Sequence, residues 1–444
     1  MEWVTPFCFL SGGVLFLMFA GVPVAFSFMF VNVVGAWFLW NGDFVALVLS
    51  AFKAVGNFSW VPIPFFILMG EAIFHSGVAV KMMDVLSSWM GRIPGRLSLL
   101  AVAGGALLAT MTGSGAAVTA MLGSVLAPEM TKRGYKKAMI LGPIMASGGL
   151  AVMMPLSILG VFQASLAGIP VGKFLIGLII PGLLCATVYA AYIILRCWLQ
   201  PGLTPQYEVQ KVPVFTRIAL TVRYVIPVII IIFGIIGLMF LGIATPTECA
   251  ALGALFCFGI GFVYSRFKGF SSGGVMKKTV TKSFTGAARI SFMLLILVLS
   301  TSAFSELLAY TGAITGLANL VTQWELRPIL VVVLMQAIMF VMGTALESIG
   351  IMLVCTPIFF PIIQKLGLDP LWFGIIMLIN METASISPPY GLQLFVMKGV
   401  SSADTTLGDV YNASWTFCGL NCFVMGLLMV FPKICTWLPN LMTG

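Results

Sequence analysis

Apolar side chains occur along this chain in long unbroken runs, at about 3–20, 24–40, 61–78, 97–127, 138–163, 174–196, 224–243, 249–265, 290–309, 328–363, 371–397 and 415–438. A helix that crosses a bilayer needs about 20 such residues. Ten of the runs have roughly that length, and two, 97–127 and 328–363, are longer. Basic residues orient them. Segment 266–289 carries Arg266, Lys268, Lys277, Lys278, Lys282 and Arg289 with no acid, which places it in the cytoplasm. Segment 196–223, with Arg196, Lys211, Arg217 and Arg223, reads the same way.

Run 97–127 has basic clusters on both flanks, Lys81, Arg92 and Arg96 before it and Lys132, Arg133, Lys136 and Lys137 after it. Both flanks belong in the cytoplasm, so the run is a re-entrant hairpin that turns at Thr112-Gly113-Ser114-Gly115. Run 328–363 is interrupted near Gly343-Thr344, and counting crossings leaves both its ends outside. The expected fold is an all-α polytopic membrane protein of about ten transmembrane helices and two hairpins entering from opposite faces.

An internal match supports that count. Pro128, Lys132, Gly134 and Pro155 recur as Pro361, Lys365, Gly367 and Pro388 at a constant spacing of 233. Glu71 and Gly77 recur as Glu306 and Gly312, and Gly21-x-Pro23 has a looser counterpart in Gly242…Pro246. Two similar halves of opposite orientation form the inverted-repeat plan of secondary transporters. After each hairpin comes a run broken at its middle, at Gly148-Gly149…Met154-Pro155-Leu156-Ser157 and at Asn380…Ser387-Pro388-Pro389-Tyr390-Gly391. Proline removes a donor and displaces the i−4 carbonyl. Carbonyls freed in this way cannot face lipid and must line a cavity or coordinate something. They suit a small hard cation such as Na⁺, while the N-termini of half-helices suit an anion. Simple proline kinks that only shape packing are the plainer reading.

Composition narrows the class. With 60% hydrophobic and 8% charged residues, the chain is neither a soluble enzyme, a disordered segment nor a nucleic-acid binder. The net charge of +9 sits between apolar runs and reads as topology. Nine cysteines lie mostly within apolar runs without a CxxC pair, as small buried residues do. The first run has no basic flank or small-residue cleavage site, which argues against a removed signal peptide. Carboxylates at membrane depth are functional candidates: Glu71, Glu248, Glu306, Glu347 and Glu382, with His75 one turn from Glu71. Glu347 and Glu382 flank the second hairpin tip and second break, where either gating or hairpin-fixing fits them. Trp37, Trp40, Trp60 and Trp437 read as interfacial anchors.

Several motifs occur in a telling order: Gly21-Val22-Pro23-Val24-Ala25, Ile63-Pro64-Phe65-Phe66-Ile67-Leu68-Met69-Gly70-Glu71, Thr112-Gly113-Ser114-Gly115-Ala116-Ala117, Gly242-Ile243-Ala244-Thr245-Pro246-Thr247-Glu248, and Gly367-x-Asp369-Pro370-x-Trp372-Phe373-Gly374 leading to Ser387-Pro388-Pro389-x-Gly391. Together they resemble the large, DctM-type membrane subunit of TRAP transporters (tripartite ATP-independent periplasmic transporters) over nearly the whole chain. The resemblance implies an elevator-type, sodium-gradient-driven importer of an organic acid in the bacterial inner membrane. Its implied partners are a periplasmic substrate-binding protein and a small four-helix membrane subunit. It implies scaffold helices in 1–96 with an amphipathic arm near 41–60, and again in 174–309 with a cytoplasmic arm near 266–289. The transport domain would comprise 97–163 and 328–397, with a final helix at 415–438.

Carried over by motif, one sodium site would use Thr112, Ser114, Gly148, Met154 and Pro155, and the other Gly343, Thr344, Thr383 and Ser387. Asn380, Glu382 and Ser385 border the implied substrate pocket, with Glu347 in gating or coupling. Two details depart from the family: its first tip is usually richer in serine, and its first break usually carries a double proline where this chain has Pro155-Leu156. No HExxH, paired Asp or nucleophile arrangement supports an enzyme, and no phosphate-cradling GxxxxGK[ST] supports nucleotide use. The nearest rival is a stand-alone cation-coupled anion transporter or antiporter of similar hairpin fold that needs no binding protein.

Overall fold

The computed structural model describes residues 3–91, 93–205, 213–267, 273–323 and 326–442, with the side chains of 265–267 and 273–276 left aside. Arg92, Lys211, Lys268 and the Arg266 side chain, used above to orient the runs, lie outside the described residues. Among the described residues the elements are helices only. The first half contains α1 (Val4–Phe19), α2 (Val24–Leu39), α3 (Phe44–Val55), α4 (Pro62–Ser76), α5 (Val78–Trp89), α6 (Arg96–Thr112), α7 (Gly115–Lys132), α8 (Lys137–Met153), α9 (Ile158–Leu166), α10 (Val171–Gly177) and α11 (Ile179–Leu199). The second contains α12 (Val214–Tyr224), α13 (Ile226–Phe240), α14 (Pro246–Phe267), α15 (Gly273–Tyr310), α16 (Ala313–Gln323), α17 (Pro328–Gly343), α18 (Ser348–Lys365), α19 (Pro370–Ile386), α20 (Leu392–Val400), α21 (Leu407–Val430) and a short α22 (Lys433–Thr436).

The repeat is visible in element lengths. Helices α6 to α9 have 17, 18, 17 and 9 residues, and α17 to α20 have 16, 18, 17 and 9. Gly115 and Ser348 open the inner hairpin arms, and Met153 and Ile386 close the broken helices, each pair 233 apart. The glycine pairs noted in the sequence share a left-handed backbone: Gly21 and Gly242, Gly77 and Gly312, Gly134 and Gly367 all have φ between 67° and 86°. Only glycine adopts that region at no steric cost, so the matched positions are matched turns.

Local chemistry explains each interruption. Gly113, at φ 59°, caps α6 through its N–H to the Ala109 carbonyl, and Ser114 is extended. Met154 and Ser387 each precede a proline and are extended, at ψ 151° and 131°, because the proline ring disfavours the helical region for the residue before it. The pieces α8 and α9 meet at 42°. Ser157 restarts α9 by accepting the Gly160 N–H at 3.0 Å. Each expected break and hairpin turn is therefore present.

Some expectations need adjustment. Helix α4 together with the turn before it (Phe58–Ser76), α14, α15, α21 and the joined α10–α11 are long and apolar enough to cross a membrane, as are the bent pairs α8–α9 and α12–α13. Helices α1 and α2 have 16 residues each, about 24 Å at 1.5 Å per residue, short of the hydrocarbon core. Helix α18, a hairpin arm, has a span's length. Of the arm expected near 266–289, residues 268–272 lie outside the described residues, and the part from Gly273 on is not separate from the run that follows, since α15 covers both as one helix of 38 residues. Helix α3 does stand alone, with Phe44, Val45, Val48, Leu49 and Phe52 exposed and Ser50 and Ala51 buried. Trp60 is 8% exposed and donates its indole N–H to the Ala54 carbonyl, so it is a packing residue rather than an interfacial anchor.

Two packing groups emerge, joined where α4 packs on α6 and α9. Helix α4 packs on α14 and α15, and α15 on α2 and α3. Helix α8 packs on α6, α7, α11, α19 and α21, and α19 on α17, α18 and α21. Helix α11, inside the segment 174–309 read as scaffold, thus packs with the hairpins.

Candidate functional site

The two hairpin tips and the two breaks converge on one cavity of about 420 Å³. Its lining comes from the first tip (Gly113–Ala116), the start of α9, the second tip (Gly343 and Ala345–Ile349), the end of α19 and the start of α20. One wall, Ile290, Met293 and Leu294, belongs to α15. Four helices, α7, α9, α18 and α20, begin at or beside this space. Their free N–H groups and dipoles favour negative charge there. The C-terminal ends of α6, α8, α17 and α19 bring carbonyls to the same region, and carbonyls favour cations. Among the described residues no three of His, Cys, Asp and Glu stand close enough to hold a metal. A cation here would be held by carbonyl and hydroxyl oxygens, the ligands of hard ions.

Close approaches hold each tip against its own broken helix. A Cβ on Gly115 would lie 2.7 Å from the Gly148 carbonyl oxygen, so the chains touch without side chains. At the corresponding place 233 residues on, the Ser348 hydroxyl donates to the Met381 carbonyl at 3.2 Å. Gly343 lies against Ala384 in the same junction.

Of the residues singled out in the sequence, Ser114, Gly343, Glu347 and Ser385 line the cavity. Ser114 caps α7, its hydroxyl oxygen 3.4 Å from the Ala117 N–H. Ser385 donates to the Glu382 carbonyl at 2.7 Å. Glu347 is exposed to this cavity and to an adjoining one of about 650 Å³ that reaches Gly21–Ala25 and Arg289. Thr112, Met154, Pro155, Thr344, Thr383 and Ser387 sit at the tips and breaks behind that lining. The hydroxyls of Thr112, Thr344 and Thr383 donate within their own helices, to the carbonyls of Leu108, Val341 and Ile379 at 2.9, 2.7 and 2.8 Å. A cation at those positions would meet the tip carbonyls first.

Asn380 and Glu382 do not reach the cavity. Asn380 is fully buried and donates to the Gln336 carbonyl at 2.7 Å and to its Oε1 at 2.8 Å. Glu382, also fully buried, lies against Gly149 and accepts from the Tyr189 hydroxyl at 2.9 Å, where Asn421 joins the cluster. Both are corrected from pocket residues to polar packing. At the periphery, Glu71 pairs with His75 at 3.1 Å, and Glu248 accepts from the Thr245 N–H at 2.7 Å. Sequence reasoning missed Gln393, which lines the cavity, and the Tyr189–Asn421 pair.

Against known families, residues 12–434 match the tripartite ATP-independent periplasmic transporter, DctM component. The chain belongs to that family. It is a multi-pass membrane component of a transporter, not an enzyme. It is 28% identical to the C4-dicarboxylate TRAP transporter large permease protein DctM of Vibrio cholerae, over 97% of each chain. The Pseudomonas aeruginosa protein of the same description is 30% identical, over 89% of this chain and 87% of that one. Other TRAP relatives are named for isethionate, ectoine and sialic acid, and the isethionate permease is described as DctMQ. The solved structure of Neisseria gonorrhoeae MtrF, 13% identical, superposes with a TM-score of 0.64 over 97% of each chain and shares the fold.

Proposed function

We propose that this TRAP large permease imports a small organic acid across the bacterial inner membrane, driven by the sodium gradient. A periplasmic binding protein delivers the substrate, and a small four-helix subunit holds the permease. The cavity carries this reading, since four helix starts face an anion while tips and breaks offer carbonyls to Na⁺. Relatives named for dicarboxylates, isethionate and sialic acid support an acidic cargo.

In this mechanism one Na⁺ sits among Thr112, Ser114, Gly148, Met154 and Pro155, and the other among Gly343, Thr344, Thr383 and Ser387. Each orders its tip against its broken helix. That ordering favours substrate at Ser114, Ser385 and the helix starts, and substrate favours Na⁺ in return by reciprocal linkage. The hairpins and broken helices, with α11 and α21, move as one body against α1–α4 and α13–α15. Glu347 stands where the cavity meets the passage to Gly21–Ala25 and Arg289, a face the basic residues assign to the cytoplasm. On this reading the cavity opens toward the cytoplasm, which supports an inward-facing form.

The test is uptake into proteoliposomes of the full chain with its two partners. Labelled dicarboxylate, sialic acid and isethionate are offered under an inward sodium gradient and under a choline control. Gradient-dependent uptake of any one supports the proposal. Uptake that ignores sodium sinks the coupling, and undiminished uptake without the binding protein points to a stand-alone carrier.

A further inference from the structure

Two hydrogen-bonded pairs join the halves, and the repeat reproduces the pairing with the halves exchanged. Thr119 in α7 donates its hydroxyl to Gln393 Oε1 in α20 at 2.9 Å. Thr356 in α18 has its hydroxyl 3.3 Å from both ends of the Gln163 amide in α9. All four side chains are buried. In each pair, the inner hairpin arm of one half holds the outgoing piece of the other half's broken helix.

The second pair is displaced by one helical turn. Thr119 is the fifth residue of α7 and Thr356 the ninth of α18, while Gln393 is the second of α20 and Gln163 the sixth of α9. Counted from the helix starts, both members of the second pair lie four residues farther along, close to the 3.6 of one turn, so the two can still meet. The displacement separates their surroundings. Gln393 lines the cavity and Gln163 does not; the latter's amide instead meets Met377 Sδ at 3.3 Å.

Gln393 has further partners. Its Nε2 donates to the Ser385 hydroxyl at 2.9 Å. Its amide also lies where a Cβ on Gly148 or Gly115 would come within 2.5 and 2.9 Å. An amide carries an acceptor at one end and donors at the other. Here the acceptor end is held by the first hairpin and the donor end by the second broken helix. We propose that Gln393 is a positioning residue that couples the two sodium sites and sets the cavity's polar wall for the substrate. Ordering the first tip fixes Thr119, which orients the amide, which holds Ser385 beside Thr383 and Ser387. Gln163–Thr356 ties the halves without that role. This inference rests on the sodium-coupled reading.

The experiment is an equilibrium sodium titration followed by intrinsic tryptophan fluorescence on the purified full chain in nanodiscs, at constant ionic strength with choline, with melting temperatures read alongside. Wild type is expected to give a Hill slope approaching about 2, the signature of two coupled sites. Gln393→Leu and Thr119→Val should bring the slope toward 1 and raise the half-saturating sodium about tenfold. Thr119→Ser, which keeps the hydroxyl, should restore both. Gln163→Leu should lower the melting temperature in choline yet leave the slope as in wild type. An unchanged slope in Gln393→Leu, or an equal loss in Gln163→Leu, overturns the coupling role while sodium binding stands. A wild type indifferent to sodium removes the sodium reading, and this inference with it.

Discussion

Gly148 shows how little room the first junction leaves. Any side chain there would strike Thr119, Gln393 and the Gly115 carbonyl. Gly148→Val is expected to cost about 1–3 kcal/mol by overpacking, and sodium should no longer raise the melting temperature. The buried cluster around Glu382 makes a different prediction. Tyr189→Phe leaves the carboxyl of Glu382 without its donor, at a cost of about 1–3 kcal/mol, readable as a lower denaturation midpoint. Both expectations mark what the residues alone could tell. Ser114, Gly343, Glu347 and Ser385 were legible because they flank prolines and glycines that force the chain to break. Glu382 and Asn380 were misplaced because sequence gives depth in the bilayer and not the direction a side chain faces around its helix. Gln393 was missed because an amide in an apolar run carries no charge to draw attention.

At the scale of elements, the ends of helices carry more information than their middles. Helix α21 opens with a capping box in which Thr406 and Asp409 satisfy each other's backbone N–H groups, and Lys137 reaches Asp409 at 2.7 Å. Thr406→Ala should cost about 1 kcal/mol, measurable as a reduced melting temperature, whereas neutralising the exposed Lys137 should cost less. Helix α15 shows little of its length in the sequence. Its basic residues mark where water begins, and the sequence treats that as the end of the arm. The helix ignores the boundary, since nothing between 277 and 310 combines proline with a glycine turn. At 1.5 Å per residue its length is about 57 Å, nearly twice the hydrocarbon core. A cysteine replacing Lys277 should therefore react with an impermeant thiol reagent from the cytoplasmic side, and one replacing Leu297 should resist it.

For the whole molecule, the decisive question is what moves. Ser165 at the end of α9 donates to the Ser59 carbonyl at 3.0 Å, a contact between the proposed moving body and the helix-4 entrance. Joining Ser59→Cys and Ser165→Cys by oxidation, in a background without the exposed Cys8 and Cys422, should stop uptake and reduction should restore it. Full transport in the cross-linked form would mean that these two regions travel together. The architecture at this scale was largely legible, because run length, basic flanks and the 233 spacing are all long-range patterns. The division into two bodies was less so. Helix α11 joins the hairpin group through packing on α8 and α21, and no local feature of its sequence distinguishes it from a scaffold helix.

The constant register between the halves bears on which changes in length the chain can absorb. From Gly115 to Met153 and from Ser348 to Ile386 the two copies have kept the same residue count, even though few of the side chains agree. Adding or losing one residue in a helix turns everything beyond it by about 100°, which would swing every later contact in that copy away from its mate. Two stretches of equal length therefore keep matching contacts in register even where their side chains differ, and a single-residue insertion in either is expected to cost more than most substitutions there.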